Sequence, residues 1–544
     1  MSGRSRTSLD LEAAPQVAAT GGGSGSDPHL AASSTTMSES NDTKHHPDDE
    51  KTVATTAGAG ANVEKGAIVE AGAHDPAFLV NFDGADDPEN PKHWASPLRW
   101  YFVVVTSVYA ALASFASSAP SNITGDMSKE FGLSIEVGTL AISVYLAGFV
   151  LGPLLWGPIS ESYGRRIPFI ASCLGFTAFS VGASLAQNTT QMMIFRFLTG
   201  AFAACPMSNA PAVIGDVCHP HERALGVGIY TLAPLCGPAL GPICSGFIHV
   251  TGTSWRWMYW VLTISGGVLS VVLGLTLRET YPPALLVLKA ARLRRETGDP
   301  RWHAPSELVQ ISMGERIKGI LVKPWAVFFA EPILVCIHIY IAFQYGIIYL
   351  VFESYPIVFG RDKGWNDGIA SLPFLAIPVG GFLAVLALLL YFDPMFNKLS
   401  AELAPNHPPP EARLPPSQVG SVSFMISFFI FAWTAYPDIT WVGPVIATVF
   451  QAYGVTSNFI ALTAYIIDTY HQVTASALAT NVVIRSAFGA GFPLFARQMY
   501  DTLNPRWATT VLGFIALALM PIPWLFVRYG PWLRSKSRYA PNKH

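Results

Sequence analysis

Glu161, Arg165 and Arg166 stand close together in the stretch Gly157-Pro-Ile-Ser-Glu161-Ser-Tyr-Gly164-Arg165-Arg166. The glycines allow tight backbone turns and close helix approach, and the charges suit ion pairing at helix ends. Arg196 lies inside an apolar run, where a charge is costly and is read as functional by default. It should face a protein interior and meet an acid, water or backbone carbonyls, unless it snorkels outward. Tyr145, Asn209, His338, Gln344, Tyr345, Gln451, Asn458 and Asn481 are polar or aromatic groups in the middle of apolar runs. Most isolated Tyr or Asn in such places serve helix packing, so Gln344 with Tyr345 is the favoured binding pair. Acids avoid these centres: Glu353 and Asp468 lie near run ends, and Asp468 could pair with Arg485. No phosphate loop, nucleophile–base pair or metal-ligand spacing occurs. Asp216, Cys218, His219 and His221 cluster, but an ordinary polar loop explains them better than a metal site. The expectation is no enzyme, no metal and no cofactor.

These groups are carried by an unusually apolar chain. Of 544 residues, 51% are hydrophobic and 13% charged, and the mean hydropathy is +0.37. A soluble domain of this size needs more charge on its surface. The net charge of −2 gives no support to nucleic-acid binding. Five of the six cysteines lie in apolar runs and Cys218 in a polar loop, with no disulfide spacing.

A spanning helix needs about 20 apolar residues. Such runs fall at roughly 100–119, 137–156, 167–186, 192–214, 225–250 and 258–277. A second set falls at 330–351, 369–390, 420–435, 441–467, 475–494 and 509–527. The pattern predicts an all-α polytopic membrane protein: a polar tail (1–95), a six-helix bundle (96–278), a central loop (279–323), a second six-helix bundle (324–528) and a short tail (529–544). The long tail, rich in Gly, Ala, Ser, Thr and Asp, is expected to be disordered and cytoplasmic, and it shows no cleavable signal peptide. Arg165, Arg166, Arg223, the central loop and the final tail carry the basic excess, which places both termini in the cytoplasm. Asn122-Ile-Thr and Asn188-Thr-Thr then face outside, and Asn122 is the glycosylation candidate; Asn41-Asp-Thr is cytoplasmic.

The Gly157–Arg166 loop, placed between the second and third spans, resembles the signature loop of the major facilitator superfamily. The resemblance implies two six-helix bundles with pseudo-two-fold symmetry. It also implies that Glu161 caps the start of span eleven and that a loop arginine pairs with an acid ending span four, where Asp216 stands. Together these would latch one side of the protein. Arg196-Phe-Leu-Thr-Gly200 resembles the arginine motif of span four, a group implicated in proton handling, although Thr199 replaces the favoured glutamine. Pro234, Gly237, Pro238, Gly241, Pro242 and Gly246 in span five are similar to the antiporter motif of exporters, which implies a leak-tight contact between halves. Prolines bend this helix and glycines admit close neighbours.

Trp255-Arg-Trp, Arg278-Glu-Thr-Tyr-Pro-Pro, Glu331-Pro-Ile, the run from Tyr345 to Phe359, and Pro410-Glu-Ala-Arg-Leu-Pro extend the likeness. They resemble fungal twelve-span drug:proton antiporters of the cycloheximide-resistance and polyamine-exporter branch. The implied activity is proton-coupled efflux of small amphipathic molecules, such as a drug, glycolipid or other secondary metabolite. An organic-acid exporter, with Arg196 or His338 meeting a carboxylate, and a polyamine exporter are alternatives. A nutrient importer or a non-transporting receptor fits less well. The expected partners are a small-molecule substrate, protons and the bilayer; Glu353 is the proton-coupling candidate beside Arg196. A monomer in the cell membrane is expected, with the vacuolar membrane as the other location.

Overall fold

The computed structural model describes residues 76–83, 87–219, 222–308, 313–404, 408–470 and 473–540. All of them belong to the second of two units, Gly60–His544. His221 and the expected tail up to residue 75 therefore lie outside the described residues.

Spans one to six are Ser96–Ser118, Ile135–Tyr163, Arg166–Ser184, Thr189–Ala203 continued by Cys205–Val217, Arg223–Val250 and Arg256–Thr276. Spans seven to ten are Pro332–Tyr355, Asp367–Leu403, Pro415–Thr434 and Val442–Thr469. The apolar stretch Ser476–Ser535 is 60 residues long, about 90 Å if straight, against a hydrocarbon core of about 30 Å. It breaks at Asn504, whose φ of 61° and ψ of 155° leave the helix just before Pro505. Among the described residues, eleven apolar helices thus make twelve crossings, six in each half.

Local chemistry starts these helices where they start. Ser134, Asn188 and Asn366 accept hydrogen bonds from the backbone N–H groups of Val137, Gln191 and Ile369, covering donors that a first turn leaves unpaired. Spans seven and nine begin with proline, whose missing N–H costs nothing there. That explains why span nine starts at Pro415 rather than near 420: its first turn is polar and hydropathy overlooks it. Span eight likewise runs past 390 to Leu403, because a helix can continue beyond the membrane without staying apolar.

The arrangement is inside-out relative to a soluble protein. Leu275, Phe329 and Leu390 are 82, 74 and 71% exposed, forming the lipid-facing surface, while Arg196, His338, Gln344 and Asn458 are buried.

Two expectations change at the polar segments. The described tail residues 76–83 and 87–95 are held by the central loop rather than unstructured. That loop contains a helix, Pro282–Thr297. Val80 N–H donates to His303 O at 2.9 Å, and His303 N–H donates to Phe78 O at 3.1 Å. Val80, Leu286, Ala290 and Ala304 form a small apolar cluster beneath. Lys289 Nζ donates to Asp83 at 2.6 Å and to Asp87 at 3.2 Å. Burial alone would lower the Lys289 ammonium, but the bonds to Asp83 and Asp87 outweigh it and raise the group. Burial likewise opposes the Asp87 charge, and the N–H groups of Asp83 and Glu89 with Lys289 hold its carboxyl below the usual range. With the acid lowered and the base raised, the pair weakens only below the ordinary carboxylate value of 3.8 or above the ordinary lysine value of 10.5.

Candidate functional site

On the face that carries the Gly157–Arg166 loop, span two ends at Tyr163 and Gly164 turns the chain with φ +83°. Arg165 folds back between helix ends. Its Nε donates to Asp216 Oδ2 at 3.1 Å and its Nη1 to Ser160 Oγ at 2.7 Å, and the guanidinium lies 4.6 Å from the Tyr281 ring centre. The anticipated pairing of a loop arginine with Asp216 is therefore made. Glu279, just past span six, was not singled out from the sequence. Its carboxylate accepts the backbone N–H of Arg165 at 2.8 Å and of Arg166 at 3.1 Å. A Cβ at Gly164 would collide with that carboxylate, so glycine is required on two counts. The Arg278–Pro283 stretch was noticed, but the role of one acid in it needed a neighbour more than 110 positions away.

Glu161 departs from expectation. It is exposed, and the N-cap position of span eleven is Val473, which has no side-chain hydrogen bond; among the described residues no bond from Glu161 to that helix start is seen in this conformation. Gly157 also has open space around the position of a Cβ, so no close helix approach depends on it. The second half repeats the device. Arg413 Nε donates to Asp468 Oδ2 at 2.9 Å, so Asp468 does not pair with Arg485. Arg534 binds both oxygens of Glu411, each at 2.9 Å, with acid and base exchanged relative to Glu279 and its loop.

At the opposite face the halves are drawn together by span five. Gly237 and Gly241 turn toward span one of the same half: a Cβ on Gly237 would come within 2.5 Å of Ala111 O. Pro242 cannot donate to Pro238 O, and Ser118 Oγ supplies the missing bond at 3.0 Å. Contact with the other half comes instead from Leu232 and Leu235, which lie over Gly381 of span eight, and from Gly246, which lies against Asp367 O. Gly237 and Gly241 thus pack within their own half, while Leu232, Leu235 and Gly246 of the same span touch the other half.

Asn122 belongs to this closure. Its Nδ2 donates to Pro242 O and to Ser371 Oγ, both at 2.7 Å. Both hydrogens of the amide named as the glycosylation candidate are thus engaged in this conformation. His249 completes the closure: Nδ1 lies 2.5 Å from Asp126 in the first half, and Nε2 lies 3.3 Å from Asp367 in the second. His249→Leu leaves two carboxylates facing each other. Because exposed pairs are worth at most about 1 kcal/mol, maleimide labelling of Ser371→Cys is expected to accelerate about five-fold. Unchanged labelling would mean that the imidazole does not hold this end shut.

Between the two ends lies a buried aromatic and polar layer. Arg196 is 1% exposed, which removes the snorkelling alternative. It meets no acid. Its Nε donates to Ala141 O and its Nη1 to Ala116 O, both at 2.9 Å, and its Nη2 to Ser117 O at 3.4 Å. Tyr145 lies beneath the guanidinium at 4.4 Å and donates to Ala113 O at 2.7 Å. Across the interface Ser117 Oγ bonds Tyr349 OH at 2.8 Å, and Tyr349 OH meets Tyr345 OH at 3.2 Å. Tyr345 is within electrostatic reach of Tyr145 and of Tyr230 in span five.

The remaining candidates divide. Gln344 and Asn481 are buried, and each has an amide nitrogen without a partner. Asn458 is committed to packing: it accepts from Ser417 at 2.7 Å and Ser421 at 3.1 Å and donates to Tyr340 at 3.2 Å. Asn209 donates to Trp156 O at 3.2 Å, tying span four to span two. His338 stacks on Phe328 at 5.5 Å in an apolar cluster of the second half. Glu353 is half-buried and lies in the field of Arg497, away from this layer. Tyr230 and Tyr349 are residues the sequence reading missed, and Arg485 was read only as a partner for Asp468. Arg485 carries the same signal as Arg196, a charge deep in a span.

Comparison with known proteins agrees with this architecture. The Major Facilitator Superfamily profile matches residues 106–492. Efflux pump FUB11 of Gibberella moniliformis is 39% identical over 85% of this chain and 78% of its own. The citrinin biosynthesis cluster MFS transporter mrr1 of Monascus ruber is 39% identical, covering 86 and 93%. The multidrug transporter mdrA of Aspergillus fumigatus is 37% identical, covering 84 and 75%. The proton:xylose symporter XylE superposes with a TM-score of 0.57 at 15% identity, over 80% of this chain and 97% of that one, a likeness of fold. With its helices, its repeated loop devices and these relatives, the chain belongs to the Major Facilitator Superfamily and is a multi-pass membrane transporter, not an enzyme.

Proposed function

We propose that this transporter exports small amphipathic molecules in exchange for protons. The observation that carries the direction is the proline- and glycine-rich span five in a chain whose relatives at 37–39% identity are named efflux pumps and multidrug transporters. Two relatives are named for a citrinin cluster, which favours a secondary metabolite as cargo. The two bundles, 96–278 and 324–528, rock about a site near the bilayer midplane, formed by Tyr145, Tyr230, Tyr345 and Tyr349. Polycations are disfavoured, since no acid accompanies these tyrosines.

The basic excess near Arg165, Arg166 and Arg534 assigns the loop face to the cytoplasm, with both termini there and the His249 closure outside. The conformation is then closed outward. Arg165, Asp216 and Glu279 fasten the cytoplasmic ends of the first half. Proton coupling follows from the likeness to drug:proton antiporters, and Glu353 is the exchangeable group. The protein works as a monomer in the cell membrane.

The test is a deletion strain, analysed for metabolites inside and outside the cell and for drug tolerance, with transport in vesicles carrying an imposed pH gradient. Intracellular accumulation and gradient-dependent export are expected. Unchanged export and unchanged tolerance would overturn the reading.

A further inference from the structure

Arg485 lies eleven residues beyond Thr474, the start of span eleven, hence about 17 Å into the membrane, close to its midplane. The side chain is 9% exposed. Among the described residues its guanidinium makes no hydrogen bond or ion pair, and Nε is buried without a partner. The acid that could have neutralised it, Asp468, is held by Arg413 at 2.9 Å. Two rings flank the charge: Tyr345 at 5.0 Å and Phe459 at 5.2 Å. Its field reaches Tyr230 in the other half.

Arg196 shows what a purely internal solution looks like: three backbone carbonyls receive its donors. Arg485 has no such set. One helical turn away on the same face of span eleven, Asn481 has a buried Nδ2 without an acceptor. Both shortages are of one kind. Donors are present and acceptor oxygens are missing, and one of the donors bears a full charge. An unpaired buried cation is expensive, and an anion bound between the aromatic rings would relieve that cost.

We propose that Arg485 is the recognition point for an amphipathic organic carboxylate, which makes organic anions the substrate class. The carboxylate oxygens accept from the guanidinium, whose planar fork matches them in pairs. Asn481 donates to the same oxygens, and the rings of Tyr345 and Phe459 receive the flat apolar part. This rests on the proposed export function and specifies its cargo. Specificity of this kind comes from the penalty of leaving the charge unpaired, so neutral and cationic analogues are rejected.

The test uses the purified full-length protein and three probes built on one ring system: 1-naphthoate, 1-naphthalenemethanol and 1-naphthylmethylammonium. Binding is read as the rise in melting temperature with probe concentration. Naphthoate should stabilise the wild type, while the alcohol and the ammonium should do so weakly or not at all. Arg485→Gln should weaken naphthoate about thirty-fold or more, and Arg485→Lys should retain part of the response. Asn481→Asp, which leaves Arg485 in place and adds a competing carboxylate, should abolish it even if Arg485→Gln assembles poorly. Equal or stronger stabilisation by the ammonium or alcohol, or undiminished naphthoate binding in Asn481→Asp, would overturn the proposal. Export defects in the deletion strain are scored separately, so a transporter of cations or neutral molecules would fail here while still passing there.

Discussion

Arg196→Lys is expected to reduce transport about tenfold or more while leaving the protein assembled. The guanidinium spans two helices, donating to Ala141 O in span two and to Ala116 O and Ser117 O in span one. An ammonium is a single point of charge on a flexible stem and cannot serve carbonyls on both helices at once. At least one buried acceptor is left unsatisfied, at a cost of about 1–3 kcal/mol, and 1.4 kcal/mol is already a factor of ten. That cost falls on the packing of spans one, two and four, next to Ser117, whose hydroxyl bonds Tyr349 across the halves. Arg196→Ala removes every donor and is expected to abolish transport. Efflux from proteoliposomes, normalised to the amount of folded protein, decides the matter. Wild-type rates in Arg196→Lys would show that the fork geometry is dispensable and that only charge is needed.

Gly164→Ala is expected to have a comparable effect at the loop face. The backbone at Gly164, φ +83° and ψ 178°, is a region open essentially only to glycine and costs another residue about 1–3 kcal/mol. The added methyl also displaces the Glu279 carboxylate from the N–H groups of Arg165 and Arg166, which costs about another 1–3 kcal/mol. Together they disfavour the fastened loop by about thirty-fold or more. Glu279→Gln should produce part of the same loss without strain, since an amide presents only one oxygen to two donors. Transport should fall steeply in both variants, with faster proteolysis between Tyr163 and Arg166. If Gly164→Ala transports normally, fastening of this loop is not part of the cycle.

The likeness between the two loop devices explains why one was legible in the sequence and the other was not. Gly157 to Arg166 carries its pattern within ten residues, and Asp216 could be matched to it by family likeness. Glu411, Arg413, Asp468 and Arg534 form the corresponding pairs, but acid and base have changed places in one pair. No linear pattern survives that exchange.

Hydropathy alone located the twelve crossings, because the need to bury every backbone polar group in lipid forces each apolar run of about 20 residues into a helix. It misjudged ends where proline or polar residues open a helix, as at Pro415, since capping and proline geometry are independent of apolarity. It also left the segment from Pro76 onward unstructured, because the stabilising surface lies some two hundred residues away, around Lys289 and His303.

Spacing and residue type identified the proline motif and Arg196 as features that had to matter. Only tertiary structure decided what each touches. Gly237 and Gly241 meet span one, Gly246 meets Asp367 O of the other half, Asn122 bonds Pro242 O and Ser371 Oγ across the closure, and Asp468 belongs to Arg413. With that last pairing settled, Arg485 stands buried and unneutralised at the midplane. Whether a charge is neutralised depends on which helices face one another and in what register, and packing alone sets that.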